Sequence, residues 1–414
     1  MAIWTTTMWI TTTMCAWVRV SLYYTKPFNI KKGFFRRIVW NKRAIWRNEA
    51  YNLCLKNKKK KLGTYKFVNE NLCENLIELV DSLNNRNYMP KTSNCYVVIE
   101  PALREIYAAQ FSDRIIQHFY MKEIEKILEN ELIDGCCSCR KGKGTDYALK
   151  LLKKYLVETS NYGKKDCFFL KIDLSGYFMS IDRKKVGEKF LNLILNKYEG
   201  KHKELLLYLT PLIFENNPAT NCKYRCNEKI RKKVPDRRRM KKDSNHGMAI
   251  GNLTAQAGSN LNLSEFDHYV VNELGLKQYV RYVDDIVIIS SNKEKLINSM
   301  PLIFERLEKT HQIINKKKTR IDTAYHGVPF LGKVSYIYGY QKPRKQVIIR
   351  VCQKAKNIKY TNGENLLAKT DSQIGNLKNY NCRRLVLNYV KILPKEVKEI
   401  LHFDDVEYKF KKLL

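Results

Sequence analysis

The chain has 414 residues, and its 76 Lys and Arg against 41 Asp and Glu give a formal charge of +35 at neutral pH. Such an excess binds phosphate backbones by counterion release and predicts a nucleic-acid protein, because solvated surface faces alone do not call for so large a surplus. A hydrophobic content of 44% with 11% aromatics excludes global disorder, and no run of about 18 uncharged apolar residues is available to cross a bilayer.

Residues 1–37 form an N-terminal arm in which Trp4, Trp9 and Trp17 interleave with threonine triplets, and no role is assigned to it. Residues 38–83 read as mostly helical, with a lysine patch at Lys56, Lys58, Lys59, Lys60 and Lys61. There Phe67, Leu72, Leu76, Leu79 and Leu83 recur near helical spacing, so the stripe is core and the lysines face RNA rather than solvent alone. Arg104-Glu-Ile and Asp113-Arg114 follow, then Cys139-Arg-Lys-Gly-Lys-Gly-Thr145, where Arg140 and Lys143 beside glycines can approach phosphates. The 12 cysteines, including Cys136, Cys137, Cys139 and Cys222-x-x-x-Cys226, lack paired zinc-finger spacing. Reduced thiols are expected instead.

Cys167-Phe-Phe-Leu-Lys-Ile-Asp173 is a short β-prone run ending in an acid, broken by Leu174-Ser-Gly before Tyr177-Phe178. Residues 223–242 carry eleven basic side chains against Glu228 and Asp236, within a segment 200–245 that reads as a basic insertion able to contact RNA. Gln278-Tyr-Val-Arg-Tyr-Val-Asp-Asp-Ile-Val-Ile-Ile-Ser290 then sets a bare acidic pair inside apolar strand-forming runs. An Asp-Asp dipeptide alone is usually a solvated turn. Here adjacent ionised carboxylates between buried strands repel each other unless a divalent cation neutralises them. If the two strands pair, Asp173 joins Asp284 and Asp285, and the cluster suits two Mg²⁺ ions, with Mn²⁺ as a substitute, for nucleotidyl transfer from a triphosphate to a 3′ hydroxyl. Beyond residue 332 come a short β segment with Lys342, Arg344, Lys345 and Arg350, then helices near 371–390 and 395–414.

Tyr282-Val-Asp-Asp285 and Asp173 to Phe178 match the Y-x-D-D and D-x-x-x-x-[FY] boxes of reverse transcriptases, and the resemblance runs in family order across residues 70–390. Gly247-Met-Ala-Ile-Gly-Asn-Leu-Thr-Ala-Gln256 resembles the template-cradling box, and Asn315-Lys-Lys-Lys-Thr319 and Val328-Pro-Phe-Leu-Gly332 resemble the last palm elements. The resemblance implies an α+β right-hand polymerase: fingers over 84–165, a palm over 166–335 whose antiparallel sheet bears the carboxylates, and a thumb over 336–414. It implies metal ligation by Asp173, Asp284 and a neighbouring Ile or Leu carbonyl, with Asp285 as third carboxylate. Arg104, Arg114 and Arg140 would approach the dNTP, as would Ile250, Gly251 and Gln256. Phe178 would be the steric gate against a 2′-OH; ordinary core packing is its alternative. Lys317 or Lys318 would relieve the departing pyrophosphate, Tyr282 and Val283 would border the primer end, and Arg383 and Arg384 would hold the template-primer duplex.

Ile250 before the glycine, Gln256 ending the box and Asn217-Pro-Ala-Thr-Asn221 are similar to bacterial diversity-generating retroelement and antiphage-defence reverse transcriptases, although Ala255 stands where Ser is expected. The expected activity is RNA-directed DNA synthesis on a cognate noncoding or template RNA, with a DNA primer or cDNA as second partner. Accessory proteins and homo-oligomerisation are left open. A bacterial cytoplasmic location without a membrane partner is expected, since no basic-then-apolar signal segment precedes the fold. Template-independent or protein-primed DNA synthesis, and an RNA-binding scaffold, are the competing readings.

Overall fold

The structure is a computed structural model describing residues 72–100, 102–358, 363–378, 383–404 and 409–412, with Ala50, Tyr51, Asn52, Cys54 and Phe67 besides. The N-terminal arm and the lysine patch at 56–61 lie outside the described residues apart from these. The leucine stripe winds into α1 (Leu72–Asn84), which buries Leu79 and Leu83. Strands β1 (Ser93–Val98) and β2 (Arg104–Ala108) form an antiparallel hairpin, and α2 (Phe111–Asn130) and α3 (Thr145–Ser160) bracket the glycine-rich loop.

Next come β3 (Phe168–Asp173), the one-turn helix α4 (Tyr177–Ser180), α5 (Arg183–Lys197), α6 (Lys203–Phe214), β4 (Cys222–Tyr224) and α7 (Glu228–Lys232). The expectation of an insertion over 200–245 is corrected here. Helix α6 is core: it buries Leu206, Leu209 and Phe214, and Phe214 stacks on Phe190 of α5 with centroids 4.1 Å apart. Strand β4 joins β1 in parallel, Ser93 opposite Cys222, so the basic segment is anchored to the β1–β2 sheet. The apolar run Leu205-Leu-Leu-Tyr-Leu209 has helical faces that a count of charges overlooks.

Helices α8 (Leu253–Asn262) and α9 (Ser264–His268) lead into β5 (Tyr279–Tyr282) and β6 (Asp285–Ser290); α10 (Lys293–Lys309) and β7 (Arg320–Thr323) follow. The central sheet has the order β5-β6-β3-β7 and is antiparallel throughout. Both its faces are covered, so its strands read as continuous apolar runs rather than as alternations. Leu170, Ile172, Ile286 and Ile288 pack into one core with residues of α2, α5, α8 and α10. Phe169, Val280, Val287 and Ile289 pack on the other side with Leu149, Leu152 and Leu156 of α3. Each such buried side chain contributes about 1.5–3 kcal/mol. A second small sheet, β8 (Val328–Phe330), β9 (Lys333–Ser335) and β10 (Gln341–Pro343), closes this face.

The C-terminal unit has its own core, built by Val351 and Ala355 of α11 (Lys345–Lys356), Leu366 and Ile374 of α12 (Gly363–Lys378), and Val386 and Tyr389 of α13 (Arg383–Ile392). The expected helix over 395–414 is another correction. Among the described residues of that stretch only α14 (Lys395–Lys398) is helical, and β11 (Leu401–Asp404) then pairs antiparallel with β12 (Lys409–Lys412), Phe403 opposite Phe410. Leu401 and Phe403 alternate with His402 and Asp404, a period of two that no helix can use.

One buried ion pair ties the central hairpin to the helices behind it. Arg281 of β5 and Asp267 of α9 have no exposed side-chain surface, and their closest approach is 2.5 Å. Arg281 Nε also donates to both Asp267 oxygens at 2.8 and 3.0 Å, and the Tyr279 hydroxyl donates to Oδ1 at 2.5 Å. Removing one partner strands a charge in the core. We expect Asp267→Asn to cost about 3–5 kcal/mol in denaturant unfolding, as breaking a buried pair does. A midpoint unchanged from wild type would show that the pair is not holding the fold.

Candidate active site

Antiparallel pairing of β3 with β6 sets Asp173 directly opposite Asp285, at the end of the sheet. Asp284 lies in the turn between β5 and β6, where its carbonyl accepts from the Leu174 amide at 3.2 Å. The turn holds Val283 at φ 60, a left-handed conformation that a β-branched side chain adopts only under constraint. The constraint is visible: the Val283 amide donates to Ser138 Oγ at 3.2 Å, and Arg281 donates to the Val283 carbonyl at 3.2 Å. Ser138 Oγ in turn donates to Asn260 Oδ1 at 2.9 Å, and Asn260 Nδ2 donates to the Ser138 carbonyl at 2.8 Å. Thus the loop after α2, helix α8 and the ion pair jointly aim the acidic turn.

Each carboxylate has a different environment. Lys318 lies 3.0 Å from Asp173 Oδ1, and Asn315 Nδ2 donates to Oδ2 at 2.9 Å. Lys171, two residues before Asp173 on the same strand face, reaches Asp285 Oδ1 at 3.0 Å and donates to the Pro329 carbonyl at 2.7 Å. Burial pushes the Asp285 carboxyl above its ordinary range against the pull of Lys171. Asp284 is pushed up to about 6 by burial first and then by the charges of Asp173 and Asp285.

Among the described residues no group of three His, Cys, Asp or Glu side chains is arranged to hold a metal ion. Asp173 and Asp285 contact Lys318 and Lys171 instead. The donor chemistry nevertheless fits a hard divalent cation: the ligands are carboxylate oxygens at one strand end, and burial, then the charges of Asp173 and Asp285, push Asp284 up to about 6.

The remaining expected residues divide. Phe178 sits on α4 beside the Tyr177 ring, with centroids 5.8 Å apart, and its carbonyl accepts from the Met248 amide at 2.8 Å. This links it to the box containing Ile250, Gly251 and Gln256. The Ile250 carbonyl accepts from the Tyr107 amide at 2.9 Å, joining the box to β2. Gly251 has φ +114, and a Cβ there would lie 2.7 Å from Ile106 Cγ2, so the close approach requires glycine. Half-buried Gln256 is on α8. Tyr282 ends β5, its hydroxyl 3.4 Å from Thr145 Oγ1.

Arg104 opens β2 and is half-buried. Arg114 lays its guanidinium over the Phe111 ring of its own helix, 5.4 Å from the centroid. Arg140 is a correction: with its side chain 6% exposed it pairs with Glu129 at 2.7 Å and donates to the Ile133 and Cys136 carbonyls at 2.7 Å each. Its charge is spent on the loop and does not face a triphosphate. Of Lys317 and Lys318, both exposed, Lys318 makes the contact with Asp173. Arg383 and Arg384 are exposed on the first turn of α13.

Two supporting residues escaped the sequence reading. Lys171 and Arg281 are cations inside apolar strand runs, a pattern that itself signals a buried ion partner. The basic segment also touches the site. A Cβ on Gly176, φ +67, would lie 2.7 Å from the Arg237 carbonyl, so the stretch Asp236 to Arg238 lies against the break that follows Asp173.

The family model described as reverse transcriptase (RNA-dependent DNA polymerase) matches residues 90–335. Solved structures similar to the chain include telomerase from Candida tropicalis in complex with a TWJ fragment of telomeric RNA, at 11% identity and TM-score 0.46, covering 76% of this chain and 56% of that one. Apo telomerase from Candida tropicalis gives 11%, 0.47, 73% and 57%. Telomerase from Candida albicans with a TWJ fragment of telomeric RNA gives 11%, 0.45, 75% and 60%. The chain therefore spans less than two thirds of those proteins. None of the curated proteins matches the sequence. Among the described residues no helix is long and apolar enough to cross a membrane.

Proposed function

Because this chain belongs to the reverse transcriptase family, we propose that it copies RNA into DNA at the Asp173, Asp284 and Asp285 turn. The observation that carries the reading is the register that sets Asp173 opposite Asp285, with Asp284 beside them raised to about 6. The three carboxylates would hold two Mg²⁺, or Mn²⁺ in its place. When bound, the metal lowers the pKa of the primer hydroxyl and offsets the charge gathering on the triphosphate.

The chain's own groups do the rest. Lys318, exposed and in contact with Asp173, would relieve the departing pyrophosphate, whereas Lys317 is the alternative donor on the same loop. Gly251 lets the template-cradling box approach β2 without a side chain, and Ile250 lines it by shape alone. Phe178 gates the sugar, Tyr282 and Val283 border the primer end, and Arg104 is the favoured triphosphate cation because a planar guanidinium binds phosphate bidentately. The exposed cations of the segment 223–242 meet RNA beside Gly176, and Arg383 and Arg384 hold the duplex from the thumb. The division into fingers 84–165, palm 166–335 and thumb 336–414 belongs to the same proposal. So do a cognate noncoding or template RNA and a bacterial cytoplasmic setting in either diversification or antiphage defence.

Primer extension on an RNA template tests the centre. Asp284→Asn is expected to lower dNTP addition on the order of 100-fold or more while RNA binding stays nearly intact, since one of many charges is lost. Addition at the wild-type rate would remove the aspartates from catalysis. In the same assay Phe178→Ala is expected to raise ribonucleotide over deoxynucleotide use on the order of tenfold or more by opening space under C2′. An unchanged ratio would make Phe178 ordinary core.

The branch rests on Ile250. An apolar residue there forgoes one oriented hydrogen bond near the nascent pair, so Ile250→Gln is expected to reduce misincorporation opposite template adenine by roughly two- to tenfold. Sequencing cDNA from one heteropolymeric RNA decides this. Equal fidelity at adenine and the other bases in the wild type would speak against a mutagenic enzyme.

A further inference from the structure

At the end of the central sheet away from the aspartates, three loops converge on Gly163. Phe168 lies opposite Ser290 and Thr323, and Asp173 opposite Asp285, so the two ends of β3 stand about 17 Å apart at the ordinary strand rise. Helix α3 ends in Asn161, Tyr162 and Gly163 at φ 46, 57 and 84, three successive left-handed residues. Glycine tolerates this and Asn does so often, whereas a bulky ring does not. Yet Tyr162 is 67% exposed, so no burial of its ring offsets the conformation.

The other two loops bring further rings. Tyr325, after β7, donates its hydroxyl to the Gly163 carbonyl at 3.0 Å. The tip between β9 and β10 folds as a turn in which the Gly339 amide donates to the Tyr336 carbonyl at 3.0 Å. It buries Ile337 completely and turns Tyr338 and Tyr340 outward, 55% and 43% exposed. Tyr338 lies so close to Gly163 that a Cβ there would meet its Cε1 at 2.6 Å. The tip rings are ordered as a ladder: Tyr336 and Tyr340 stack at 4.5 Å, and Tyr338 and Tyr340 are near parallel, 7° apart, at 6.5 Å. Lys342 Nζ sits 5.6 and 5.3 Å from the Tyr336 and Tyr340 centroids. Lys153 reaches this tip, its Cε 3.4 Å from where a Cβ on Gly339 would stand, and Lys164 is exposed next to Gly163, with Glu158 and Asp166 as the carboxylates of that stretch.

We propose that Tyr162, Tyr338 and Tyr340, rimmed by Lys153, Lys164 and Lys342, form a second binding surface, for single-stranded RNA, remote from the aspartates. Flat rings offer faces on which unpaired bases stack irrespective of sequence, and ammonium groups beside them meet the backbone phosphates. A protein partner would call for a continuous apolar centre, but the aliphatic residue at the tip, Ile337, is buried beneath the rings. The surface stands apart from the polymerase reading, because no nucleotide is added there. Its use would be to retain a stretch of the RNA that is not being copied.

The full chain, first saturated with an unlabelled RNA–DNA template-primer, is titrated with fluorescent oligouridylate of about a dozen nucleotides, a length within the usual range of stacking sites. The wild type is expected to bind it. The triple variant Tyr162→Ala, Tyr338→Ala, Tyr340→Ala is expected to lose affinity by about tenfold or more, while Tyr338→Phe, which keeps the ring, is expected to bind like wild type. Extension of a short template-primer is expected to be unchanged in the triple variant, which shows that it folds. Should it fail to fold, Lys153→Glu with Lys342→Glu must weaken binding and flatten its salt dependence for the proposal to stand. Equal binding by the ring variant, or no oligouridylate binding by the duplex-loaded wild type, overturns it. So does a wild-type dimer that becomes monomeric in the ring variant, which would give the surface to a second copy.

Discussion

Arg281 is a strand residue with no exposed surface, and a guanidinium in that position must find a carboxylate or not be buried at all. Asp267 supplies it. The consequences reach past the pair, since the same guanidinium donates to the Val283 carbonyl, and the Arg281 backbone exchanges hydrogen bonds with the Gly135 carbonyl and the Cys137 amide at 2.8 and 2.9 Å. The loop after α2, helix α9 and the acidic turn are thereby fixed as one unit. The left-handed Val283 is held because its amide and carbonyl both have partners within that unit. A turn free to relax would carry Asp284 away from Asp173.

Electrostatic frustration remains at the tip of this unit. Asp173, Asp284 and Asp285 lie within one strand end, and two of them are quieted by lysines of the chain itself. Lys171 is buried and anchored to the Pro329 carbonyl, so it is a permanent part of the sheet. Lys318 has a side chain 63% exposed, so the contact with Asp173 is screened and easily exchanged for another charge. Asp284 has no lysine contact of its own among the ion pairs of the turn, and burial raises it as it raises Asp285. The site therefore has one fixed cation, one exchangeable cation and one carboxylate whose charge is unmet, an arrangement receptive to divalent ions.

Around this centre the positive charge is distributed by structure rather than spread evenly. The basic segment 223–242 is pinned at one end by β4, paired with β1, and presses its Arg237 backbone against Gly176. It faces the aspartate end of the sheet. The tyrosine ladder with its lysines occupies the other. A chain of net charge +35 has enough cations for both surfaces, and the rings distinguish a stacking site from a purely electrostatic one.

The local sequence determined the strands, the acidic turn and the order of the boxes, because buried strands flanking bare carboxylates are a pattern that short-range chemistry can read. It also determined the leucine stripe of α1 and the strong positive charge. What only the tertiary structure decided were the partners of charges. Arg140 looked like a phosphate ligand beside glycines, but Glu129, eleven residues earlier on α2, claims it. Lys171 and Arg281 stand inside apolar strand runs, and Asp285 and Asp267 answer them across 114 and 14 residues. The tyrosines that meet at Gly163 come from positions as distant as 162 and 325, joined by a contact spanning 162 residues. Hydrophobic periodicity is a property of neighbours along the chain and can be read there. The destination of a charge or an aromatic face depends on which distant segment folds against it.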